Sequence, residues 1–109
     1  MKTMKEEPNL LYIRELSEGD TDFEMTLLQV VKKELPAEIE VYKQQLAEEN
    51  YSKTAESVHK LKHKISILGL EKSYQTAVDY ENELKEGQTR LQAEFEEILD
   101  SMVAFIGKL

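Results

Sequence analysis

The chain has no cysteine among its 109 residues. That rules out a disulfide scaffold and thiolate metal sites, and it fits a reducing compartment. Glycine (4) and proline (2) are scarce. With so few chain breakers, and with Glu, Lys, Leu and Gln abundant, helices are favoured over short strands. No apolar run approaches the roughly 20 residues that a membrane-spanning helix needs. The charged opening Met1-Lys2-Thr3-Met4-Lys5-Glu6-Glu7-Pro8 is not followed by an apolar stretch of signal-peptide length. A cytoplasmic location is therefore expected. Positive charge is also in deficit: Lys and Arg number 14 against 22 Asp and Glu, a formal net charge of −8. Such a surface repels a phosphate backbone and an anionic bilayer, so neither nucleic acid nor membrane is expected as a partner.

What is present is globular in composition, 40% hydrophobic and 33% charged. The length suits one domain with one core, over residues 1–109. Six helical segments are predicted. The first covers 8–16, with Pro8 at its start. After the turn Ser17-Glu18-Gly19-Asp20, the capping-box match Thr21-Asp22-Phe23-Glu24 opens a second. Its inward stripe is Phe23, Leu27, Val30, Val31 and Leu35. Pro36 either kinks one long helix or separates this segment from a third, which ends near Glu49 with Ile39, Tyr42 and Leu46 inward. Asn50 and Ser52 are candidate caps for a fourth helix, 52–68, striped by Val58, Leu61, Ile65 and Leu68. Gly69 stops it. A fifth spans 71–86, with Tyr74, Ala77, Val78 and Leu84 inward. The second capping-box match, Thr89-Arg90-Leu91-Gln92, opens the last, striped by Leu91, Phe95, Ile98, Leu99, Met102 and Phe105. Four long amphipathic stretches joined by short turns imply an all-α fold. The expected architecture is an antiparallel up-and-down four-helix bundle at about 20–107, with an additional short N-terminal helix and a disordered stretch at 1–7.

Residues 52–64 depart from the acidic background. Lys53, Lys60, Lys62 and Lys64 face only Glu56 within the segment, and both histidines of the chain, His59 and His63, lie there. At roughly 100° per residue, His59 falls roughly 140° and His63 roughly 180° from the centre of the apolar stripe. Both are predicted on the exposed face. An ordinary solvated surface histidine is the competing reading from pattern alone.

The string His59-Lys60-Leu61-Lys62-His63-Lys64, followed by Ile67-Leu68-Gly69-Leu70, resembles the H-x-L-K-G signature of histidine-containing phosphotransfer (HPt) domains. The Ser17–Asp20 turn before Phe23, the Glu34-Leu35-Pro36 joint and the Asn50-Tyr51 turn are similar to family features, so the likeness covers roughly residues 10–107. It implies a phosphorelay intermediate with no catalytic activity of its own and no cofactor. Its partners would be the receiver domains of a hybrid histidine kinase or a response regulator; any magnesium would belong to the receiver. His59 would accept the phosphoryl group, and Lys62, one turn onward, would hold the phosphoryl oxygens. Lys60, Glu56, His63 and Ser66 would line the docking surface. A monomer is expected.

One departure stands out. The family places glycine or another small residue four positions after the histidine, where this chain has His63. That side chain could pack aside, hydrogen-bond the phosphate, or itself be the acceptor; the position of Lys62 favours His59. Two other readings compete. One is a helical interaction module without phosphate chemistry. The other is a metal-binding bundle using Glu56-x-x-His59-x-x-x-His63, which the outward phase and the neighbouring lysines oppose.

Overall fold

The computed structural model describes residues 6–109, which form five α-helices; among the described residues there is no strand. They are α1 (Leu11–Ser17), α2 (Thr21–Ala47), α3 (Tyr51–Ile67), α4 (Glu71–Lys85) and α5 (Gln92–Ile106). Short turns reverse the chain between them. Helix α3 packs most extensively on α4 and α2, α5 packs on α4 and α2, and α1 packs on α2. That ring of neighbours is a four-helix bundle with a short extra helix before it.

Pro36 lies inside α2 and does not divide it: the 27 residues form one helix. Pro36 is exposed. The helix loses one backbone hydrogen bond there, which the packing of Val31, Leu35, Ile39 and Tyr42 into the core outweighs. The continuous helix also corrects the expected stripe. Once those four residues define the buried side, Phe23 and Val30 fall roughly 120–140° away from it. They are 46% and 41% exposed.

The helix starts differ from the expected caps in three places. Asp20, not Thr21, caps α2, its carboxylate accepting from the Phe23 N–H at 3.1 Å. Helix α1 begins at Leu11 rather than at Pro8. Asn9 intervenes: its side-chain oxygen takes the Leu11 N–H at 3.0 Å, and its own N–H donates to the Leu68 carbonyl at 2.8 Å. Helix α5 begins at Gln92 without a side-chain cap, and Glu83 of α4 accepts from the Leu91 N–H at 2.6 Å. The Asn50 cap does form, on the Lys53 N–H.

Of the segment expected to be disordered, residues 1–5 lie outside the described residues. Glu6 is tied down. Its carboxylate accepts from the Lys72 and Ser73 N–H groups at 3.1 and 2.9 Å, capping α4 from outside that helix. Burial works against its charge, but those backbone N–H groups outweigh it and lower its pKa.

The core runs along the bundle axis and includes Leu35, Val58, Leu61, Ile65, Ala77, Phe95 and Met102, all fully buried. Tyr42 and Tyr80 cross the core with their hydroxyls 2.8 Å apart, and the Tyr42 hydroxyl donates to Glu96 at 3.0 Å. Burial raises both hydroxyl pKa values, that of Tyr80 to about 12. Both therefore stay neutral and serve as hydrogen-bonding groups inside the core. No helix among the described residues is long and apolar enough to cross a membrane.

Candidate functional site

Val58, Leu61 and Ile65 anchor α3 with their side chains fully buried, and this fixes what the opposite face presents. His59 and His63 both lie on the exposed face, as the helical phase predicts. Their rings meet edge to face with centroids 5.4 Å apart. The His59 side chain is 54% exposed.

His59 has a carboxylate behind it. Its Nδ1 lies 3.2 Å from Oε2 of Glu81 on α4. The same carboxylate receives Lys62 Nζ at 2.8 Å and Lys85 Nζ at 3.5 Å. Glu81 is buried. Burial alone would raise its pKa; the Lys62 hydrogen bond and charge, with His59 and Lys85, pull harder and lower it. An ionised carboxylate only accepts hydrogen bonds, so the His59 Nδ1 carries the hydrogen. Nε2 is then the ring nitrogen left outside this contact.

The lysines do not form one solvated patch. Lys62 is nearly buried, packed with its ammonium 5.7 Å from the Tyr74 ring centre and bound to Glu81. Lys64 is buried and held by Glu34 at 3.0 Å and Glu38 at 3.1 Å, both on α2. Lys53 and Lys60 remain exposed. The expectation that only Glu56 opposes these lysines holds along α3 but fails across the bundle, because α2 and α4 bring their acids to it. Lys85 enters instead: with Lys60, Glu56, Ser52 and Glu81 it lines a shallow groove beside His59. Ser66 is exposed further along α3.

Glu81 is the site residue that sequence reasoning missed. A signal existed. Ala77, Tyr80, Glu81 and Leu84 are spaced as one inward face of α4 and all four are buried. An acid on such a face needs a partner. The metal-centre reading gains no support: among the described residues no group of three or more His, Cys, Asp or Glu could hold a metal ion.

A family model described as the Hpt domain matches residues 26–106, well over half of the chain. No curated protein and no solved structure matches the chain significantly.

Proposed function

The chain belongs to the Hpt domain family, and from that premise we propose that it is a cytoplasmic, monomeric phosphorelay intermediate that accepts a phosphoryl group on His59 from one receiver-domain aspartate and passes it to another. The observation that carries this reading is the pairing of an exposed His59 ring with a buried Glu81 carboxylate at Nδ1, on the helix that bears the family motif.

The proposed chemistry follows from that pairing. Glu81 holds the Nδ1–H, so the neutral ring presents the Nε2 lone pair to solvent. In the forward step Nε2 attacks the phosphorus of the receiver's aspartyl phosphate. The N–P bond forms, the P–O bond to the aspartate breaks, and its electron pair returns to the receiver carboxylate. The ring gains positive charge, which Glu81 stabilises through the Nδ1–H. Donation to the second receiver reverses these bonds. The donor aspartyl phosphate leaves as a free carboxylate and the second aspartate leaves phosphorylated; neither step gains or loses a proton, so the carrier needs no acid or base of its own. Glu81 is a positioning residue here, setting the tautomer and orientation of His59.

Lys62 is proposed to neutralise the phosphoryl group. In the unmodified protein its ammonium is bound to Glu81, so the phosphoryl oxygens compete with that carboxylate for it. Lys60, Glu56, His63 and Ser66 are proposed to contact the receiver, joined by Lys85 from α4. Exposed Lys60 and Lys85 beside the acceptor favour approach of a receiver's acidic site on an otherwise acidic protein.

The test is labelling of the whole chain with phosphoramidate, read by intact mass and phosphorus NMR at neutral pH. One acid-labile phosphoryl group is expected in the wild type and in His63→Gln, and none in His59→Gln. Full labelling of a folded His59→Gln protein would overturn the assignment.

A further inference from the structure

A phosphoryl group on His59 would add a charge of roughly −1.5 to −2 and three strong acceptor oxygens. The nearby donors differ in how free they are to meet it. Lys62 Nζ is 2.8 Å from Glu81, with its side chain only 12% exposed. Lys85 is drawn to the same carboxylate. His63 is exposed, one helical turn from His59, and its ring already touches the His59 ring. It makes no hydrogen bond or ion pair with any described residue. Its imidazole carries at least one N–H donor in either protonation state.

Resting on the carrier reading above, we propose that His63 is a ligand of the phosphoryl group borne by His59, donating a ring N–H to a phosphoryl oxygen. Where a small residue would only leave room, this side chain supplies a donor from the carrier's own helix. The contact is stronger for the imidazolium, because a charged donor meets a charged acceptor. Phosphorylation therefore raises the proton affinity of His63. The other charges around the pair are Glu56, Lys60 and Lys62 on α3 and Glu81 and Lys85 on α4. The α2 acids Glu34 and Glu38 are engaged by Lys64.

The experiment uses the full chain with labelled histidine nitrogens, titrated by side-chain NMR before and after reaction with phosphoramidate. His63→Ala and His63→Gln run beside it. Intact mass gives the phosphorylated fraction of each protein, and the titrations are read on the phosphorylated form. In the wild type, phosphorylation raises the proton affinity of His63 about tenfold or more, as an anion within contact distance does. The phosphorus resonance of phospho-His59 then shows a titration step at the His63 midpoint, absent from both variants. A phosphorylated His59 with the His63 midpoint unmoved would overturn the proposal. Absence of any phosphohistidine would instead remove the carrier reading, and this inference with it.

Discussion

Glu81→Gln is the most informative single change, because one carboxylate serves three basic groups. The replacement keeps the shape and one oxygen acceptor but removes the charge. Lys62, 12% exposed and 2.8 Å away, then keeps a nearly buried ammonium without its counter-ion. Removing one partner of a fully buried pair costs about 3–5 kcal/mol. Here the long lysine can swing partly into water, and the amide oxygen still accepts a hydrogen bond. A cost of about 2–3 kcal/mol at neutral pH is expected. In a domain of this size that lowers Tm by roughly 10 °C or more. Lys62→Met should cost less, since a thioether fills the space beside Tyr74 and Glu81 keeps Lys85 and His59. The pH dependence has a definite sign. The folded-state pKa of Glu81 is lowered, so its stabilisation is complete above the ordinary glutamate range and is lost as pH falls through the lowered value. Urea unfolding followed by circular dichroism at pH 7 and again near pH 3 measures both effects. The gap between wild type and variant should be large at the first pH and shrink at the second. A gap under about 0.5 kcal/mol at pH 7, or one equally large at both, would refute the argument.

Three further outcomes are expected. Burial disfavours the charge of Lys64, but Glu34 and Glu38 outweigh it and hold its pKa above the usual lysine value. Lys64→Ala should then cost about 3 kcal/mol in urea unfolding, and Lys64→Met distinctly less, because a methionine refills the volume. Glu6→Ala removes the outside cap of α4; it should cost about 1 kcal/mol and speed amide exchange at Lys72 and Ser73 while leaving His59 labelling unchanged. Gly69 and Gly87 share a left-handed backbone, with φ of 76° and 77°. A Cβ at Gly87 would meet nothing within 4 Å, whereas one at Gly69 would lie 2.5 Å from the Asn9 side chain. Gly87→Ala should cost about 1 kcal/mol for the backbone alone. Gly69→Ala should cost more, because it also displaces Asn9 from the Leu11 N–H; equal losses in urea would contradict this.

Local pattern carries much of the fold. The buried stripe of α3 follows from the spacing of Val58, Leu61, Ile65 and Leu68, and the outward phase of both histidines follows from it. What local pattern does not carry is anything settled by packing between helices. Pro36 reads as a break because propensity is a local quantity, and α2 passes through it because residues on both sides bury against the same core. The Thr21 and Thr89 capping boxes match a spacing that several overlapping residues could satisfy. Asp20 wins the first, and a carboxylate from α4 serves the second. The run Lys60, Lys62, Lys64 reads as one basic patch along the chain. Folded, its members point in different directions, Lys62 to Glu81 and Lys64 to Glu34 and Glu38, so their charges are answered by different helices.

A carboxylate against a proposed phosphate acceptor is, taken alone, electrostatically adverse, since Glu81 would repel the incoming phosphoryl group. Two features reverse that expectation. First, Glu81 meets the ring at Nδ1, so the imidazole stands between the carboxylate and anything bound at Nε2. Second, its charge is already shared among His59, Lys62 and Lys85, so the cluster as a whole is not anionic. In the proposed relay the same sharing would make the cations available: as negative charge arrived at Nε2, the ring's positive charge would strengthen its hold on Glu81, and that would weaken the claim of Glu81 on Lys62. The cation would then be drawn toward the phosphoryl group as the bond forms and would return to Glu81 as it breaks. A carrier that must take phosphate from one aspartate and yield it to another needs such a balance. A lysine permanently free to clamp the phosphoryl group would favour acceptance and hinder release.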